Sequence, residues 1–161
     1  MKNALQLGVL MSIAMNAHEL REAEAFYKRW WPDVFAFCRL FLGDEEQAEV
    51  VSSKAFLSFY RESTRLPVAD EIPSRLVGLA YNAMQPCRAE RSVITNEPSL
   101  KHCVLLLDCR QRAVFIMRNV LRMSWPSAAS VSGSSVEKAQ ESWLGAMLKV
   151  RDLLPPHFYN R

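Results

Sequence analysis

Apolar positions along this chain recur in steps of three and four, not two. Phe26, Trp30, Val34, Phe37 and Phe41 form one stripe, and Tyr27, Trp31, Cys38 and Leu42 lie beside it. That spacing gives one face of an α-helix, not an alternating strand. Pro32 falls inside the pattern, so the helix should break, bend or restart there. Gly43-Asp44 ends the run, and Asp44-Glu45-Glu46 supplies the acidic first turn that a helix dipole favours. The next helix carries Ala48, Val51, Ala55, Phe56 and Phe59 and reaches about Glu62.

A loop with Pro67 and Pro73 follows, then a third helix from Ser74 to about Met84, with Leu76, Leu79, Ala80 and Ala83 on one side. Pro86 ends or kinks it. Residues 92–101, SVITNEPSLK, collect turn formers and a proline and read as a linker. Beyond them the pattern predicts a helix over 105–120, a short one over 123–131, and a long final one that Pro155-Pro156 stops. No strand pattern and no internal repeat stands out. The class is all-α, in two small helical domains. Their bounds are 18–91 and 103–155, joined by a linker at 92–102, with a leading segment 1–17 and a tail 156–161.

Charge strengthens this division. The chain has 161 residues and a net charge of +3. Residues 18–92 sum to −2, whereas residues 93–161 sum to +4. Two modules of opposite sign suggest two different kinds of partner. Half of the residues are hydrophobic, enough for a buried core and against long disorder. With 5 glycines and no GxGxxG or GxxxxGK, a phosphate-cradling loop is absent.

Cys38, Cys87, Cys103 and Cys109 include no CxxC pair. His102-Cys103 with Cys109 is the nearest approach to a metal cluster, and its spacing is not that of a zinc site. Reduced thiols in a cytoplasmic protein are the simpler reading. No nucleophile–base spacing or carboxylate pair points to an enzyme, and no cofactor is expected. The first 17 residues resemble a poor signal peptide. Gln6 and Ser12 interrupt the apolar run, which is too short to span a bilayer. A short amphipathic leading helix is the alternative.

The last third of the chain has the outline of a helix-turn-helix. Ser124 can cap a short helix containing Ala128 and Ala129. Gly133 stands where a sharp turn needs a positive backbone angle. Ser134 and Glu137 have capping-box spacing for the helix that follows. That second helix is the one such a motif offers to a DNA groove. Two helices around a glycine can also be a plain αα-corner.

Larger blocks of sequence resemble a known family. Residues 23–62 look like conserved region 2 of bacterial sigma factors of the small, extracytoplasmic-function group. The matching positions are Tyr27, Trp31, Pro32, Val34, Phe37, Leu42-Gly43-Asp44, Ala48-Glu49, Val51 and Ala55-Phe56-Leu57. Leu76, Leu79-Ala80 and Asn82 fit the family's next helix. Residues 105–154 look like region 4, through LLDCRQRAVFIMRNV and then Ser124-Trp125, Ala129, Gly133, Ser135-Val136 and Ala146.

The resemblance implies a function without covalent chemistry. Region 2 would bind the β′ clamp helices of RNA polymerase core, and region 4 the β flap. Region 2 would also capture the opened −10 promoter element, and region 4 would read the −35 element in the major groove. An anti-sigma factor is the implied regulatory partner. Carried over position by position, the polymerase contacts are Glu49, Leu42 and Phe56. The DNA contacts are Asn82, Arg88, Arg91, Ser135, Lys138, Gln140, Ser142 and Lys149.

The chain departs from the family where charge matters. Its "DAED" is Gln47-Ala48-Glu49-Val50, and Lys54 reverses the sign of a further carboxylate. Arg75 replaces a tryptophan, and Gly78 and Tyr81 replace basic residues. Gln140, Ser142, Gly145 and Met147 stand where Lys or Arg is usual. Ser132, Ser134 and Ala139 replace larger apolar residues, and each lost buried branched side chain forgoes roughly 1–3 kcal/mol. These losses motivate a second reading: a sigma-like interaction module that binds an anti-sigma or other regulatory protein without reading promoters.

Overall fold

The computed structural model describes residues 17–62, 71–84 and 99–154. Seven helices account for almost all of them, and no strand occurs among the described residues. In chain order they are α1 Ala17–Leu42, α2 Glu45–Glu62, α3 Ile72–Met84, α4 Leu100–Leu105, α5 Cys109–Asn119, α6 Trp125–Ser132 and α7 Val136–Leu153.

Local chemistry explains most of the boundaries. Gly43 adopts φ +77°, a left-handed turn that ends α1 cheaply only because it lacks a Cβ. Asp44 then accepts from the Gln47 amide at 2.9 Å and opens α2. Ser99, Asp108, Ser124 and Ser135 cap α4, α5, α6 and α7 in the same way, each accepting from the amide three residues on. Gly133, at φ +61°, closes α6.

Three expectations need correction. Pro32 does not break α1, which runs unbroken through it. Pro32 and Lys28, whose carbonyl loses its partner, both face solvent, so water can satisfy the orphaned group. The helix expected over 105–120 begins only at Cys109, because Asp108 caps it; Leu105 instead ends a separate short helix, α4. The cap of α7 is Ser135 rather than Ser134. Ser134 instead shares a hydrogen bond with Ser132 at 2.8 Å.

Helices α1, α2 and α3 pack around Val34, Phe37, Cys38, Phe56, Phe59 and Leu76, all essentially inaccessible. Helices α5, α6 and α7 enclose Val114, Ile116, Met117, Ala128, Ala139 and Ala146. Ser132, which replaces a larger apolar residue, is buried here, and its hydroxyl donates to the Ala128 carbonyl at 2.8 Å. The two clusters are continuous, since α1 packs on α4 and α5, and α3 packs on α6.

Candidate nucleic-acid and partner interface

The junction between the two helical clusters is built around one buried cation. Arg112 leaves α5 and is only 4% exposed. Its Nη1 donates to the Phe41 carbonyl at 2.8 Å, and its Nη2 to the carbonyls of Leu107, at 3.0 Å, and Leu105. The guanidinium also lies 5.4 Å from the Phe41 ring centroid. Phe41 and Leu105 sit in the last turns of α1 and α4, where unpaired carbonyls and the negative dipole end favour a cation. Burial pushes the guanidinium's pKa down, and Cys109 and Asp108 push it back up. An arginine retains its charge through a shift of this kind.

Close approach of backbone completes the junction. A Cβ at Gly43 would meet Leu105 Cδ1 at 2.8 Å, so side chains of the second cluster lie directly on the turn after α1. A Cβ at Gly78 on α3 would come within 3.9 Å of Val131 on α6. Beside that contact is an open cleft of about 590 Å³, lined by Arg75, Asn82, Arg110, Ser130 and Gly133 among others. Asn82 is exposed at its edge. The residue expected to hold an opened promoter base thus faces the helix-turn-helix.

The residues expected to contact polymerase are split by burial. Glu49 lies half-buried on α2, and its carboxylate acts on Tyr27. Burial and that neighbouring charge together hold the Tyr27 phenol well above its ordinary pKa. Leu42 is half-buried at the end of α1. Phe56 is fully buried among Phe26, Tyr27 and Trp31, with ring centroids 6.1, 5.1 and 5.8 Å away. As placed, it shapes the helix pair beneath Glu49 and offers no surface of its own.

The DNA-facing candidates are also divided. Lys138 and Gln140 are exposed on α7. Ser135 is occupied as the cap of that helix, and the Ser142 hydroxyl donates to the Lys138 carbonyl at 2.8 Å. Lys149 turns back onto α5, bonding Gln111 Oε1 at 2.8 Å with Asp108 3.8 Å away. Arg88 and Arg91 lie outside the described residues. Of the four positions where Lys or Arg is usual, Gln140 and Met147 are exposed and Ser142 and Gly145 half-buried; α7 also exposes Leu144 and Leu148.

Sequence reasoning missed Arg112. Its signal was an arginine three and four residues before Phe115 and Ile116, on the apolar side of its helix. It also missed Arg118, which stacks 4.2 Å from the Trp125 ring and bonds the Met123 carbonyl, tying α5 to the start of α6.

No family model matches the chain, and no curated protein is detectably similar. Solved structures do match. One is the sigma factor RpoE in complex with the anti-sigma factor NepR from Bartonella quintana, at TM-score 0.69 and 13% identity, covering 83% of this chain and 96% of that one. Another is CnrH in complex with the cytosolic domain of CnrY, at TM-score 0.71 and 20% identity, covering 91% and 94%. At such identities the shared property is the fold. The all-α arrangement with a C-terminal helix-turn-helix is therefore that of an extracytoplasmic-function sigma factor, as the sequence resemblance implied.

Proposed function

We propose that the chain is a diverged sigma-type transcription factor that binds RNA polymerase core and directs it to promoters. The observation that carries this reading is the likeness of the fold, over 83% of this chain, to that of a sigma factor. Region 2-like helices α1–α3 would contact the β′ clamp helices through Glu49, and Asn82 would hold an opened −10 base. Region 4-like helices α5–α7 would contact the β flap and the −35 duplex. No step makes or breaks a covalent bond; the protein acts by binding and positioning. An anti-sigma factor is the proposed regulator, and the cytoplasm the proposed compartment.

One observation favours a second reading. α7 exposes Leu144, Met147 and Leu148, and two of its three cations, Lys149 and Arg151, are tied to neighbouring side chains, which suits a regulatory protein better than a phosphate backbone. Co-elution with polymerase core, followed by run-off transcription, separates the two. Core binding with a transcript supports the sigma factor, and loss of core affinity in Glu49→Lys supports the clamp contact. A folded protein that neither binds core nor transcribes rejects it in favour of the interaction module.

A further inference from the structure

Leu144 at 55%, Leu148 at 43% and Met147 at 38% are exposed large apolar side chains of α7; Leu153, its last residue, is also exposed but lies on a different side. Steps of three and four put Leu144, Met147 and Leu148 on one side of the helix, together with Gln140 and Arg151. The opposite side carries Ala139, Ala146 and Val150 into the core. No described residue covers the apolar side. The helix as a whole is electrically balanced: Glu137, Glu141 and Asp152 against Lys138, Lys149 and Arg151. Duplex DNA, which attracts by charge, is therefore poorly matched to it.

The order of these residues is self-complementary. Leu144 and Leu148 are equally spaced on either side of Ala146, and so are Glu141 and Arg151. If two copies of α7 lie antiparallel with the twofold at the level of Ala146, Leu144 of each meets Leu148 of the other. Met147 fills the space between. Glu141 of each copy then faces Arg151 of the other, at both ends of the contact. Asp152 already braces that guanidinium, at 2.8 Å from its Nη2. In a twofold contact any favourable pair occurs twice, which is why such self-complementary patches make dimers.

We propose that the α7 face is a homodimerisation surface, on which a second copy of this chain packs antiparallel with Leu144 against Leu148 and Glu141 against Arg151. Three apolar side chains per copy form a small patch, in the class of transient interfaces, so the dimer dissociates in the micromolar range. The face shares Gln140 with the residues expected to contact DNA, whereas Lys138, Ser142 and Lys149 lie on another side of the helix. The inference rests on the α7 surface alone and stands whether or not the chain binds polymerase.

Sedimentation of the full chain over a concentration series tests this. Wild type is expected to pass from monomer to dimer. Leu148→Glu should weaken association at least tenfold while far-UV circular dichroism stays unchanged; Leu144→Gln gives the same readout should that variant misfold. Glu141→Arg and Arg151→Glu should each weaken the dimer, and the double variant should recover it to within about threefold. A wild type monomeric throughout overturns the proposal, whether DNA or residues 1–16 of the same chain cover the face. So does a dimer indifferent to Leu148→Glu, and a charge-swapped pair that fails to recover overturns the antiparallel register.

Discussion

The guanidinium of Arg112 and the carbonyl of Phe41 are 71 residues apart in the chain and 2.8 Å apart in space. Among the described residues no carboxylate bonds this buried cation. Three main-chain carbonyls and one aromatic ring hold it, and these groups come from both halves of the molecule. Removing it strands carbonyls on both sides of the junction at once.

Arg112→Met should therefore destabilise the fold by about 2–4 kcal/mol, the cost of several unsatisfied buried acceptors less the gain of an apolar chain. Urea denaturation gives the number. Small-angle scattering should report a larger radius of gyration for the folded variant, because the two halves separate before either unfolds. An unchanged radius at lowered stability would mean that Arg112 supports α5 alone.

Gly43→Ala should be destabilising for two reasons, a left-handed backbone and a clash with Leu105. Together they are worth about 2–3 kcal/mol. Trimming the neighbour separates them. In a Leu105→Ala background the clash is gone and only the backbone term, about 1 kcal/mol, should remain. Gly78→Ala runs the other way. Its Cβ meets only Val131, at ordinary contact distance, so the gain in helix propensity should stabilise the protein by up to about 1 kcal/mol.

Burial pushes the Cys38 thiol up to about 11, against a hydrogen bond with Ser52 that pulls it down. The unfolded thiol ionises near 9, so between pH 9 and 11 the unfolded chain sheds a proton that the folded chain keeps. Stability should be intact below pH 9 and fall above it, by about 1 kcal/mol per pH unit from this group. Tyr60, pushed up to about 12 by burial, continues the loss at higher pH. Urea titrations at pH 8, 9 and 10 should show the slope, and Cys38→Ala should flatten it.

Duplex DNA should bind the isolated protein feebly. Lys149 is engaged with Gln111 and Arg151 with Asp152, which leaves Lys138 as the exposed cation near the start of α7. Few counterions would be released, so the slope of log affinity against log salt should be shallow, about −1 to −2. Fluorescence anisotropy at several salt concentrations measures it. A steep slope would place the DNA contacts on residues other than those of α7.

The sequence by itself determined the helices, most of their ends and the turn at Gly133. These depend on neighbours within four residues: apolar spacing, a capping side chain, a glycine at a positive angle. It also carried the resemblance to the sigma-factor fold, because the order of such local signals along the chain is itself the fold's signature. Where two local signals competed, reading failed by small amounts. Pro32 passed through α1 on its solvent side, and Asp108 set the start of α5 later than periodicity alone placed it. Only the tertiary structure decided which side chains remain available for contact. Phe56 went to the core, Lys149 to Gln111, and Arg112 to an acceptor 71 residues away. A buried donor takes whichever acceptor packing brings within 3 Å, and that depends on how distant helices meet. The same meeting of α3 with α6 set Asn82 at the rim of a cleft, and it left Leu144 and Leu148 uncovered among the described residues.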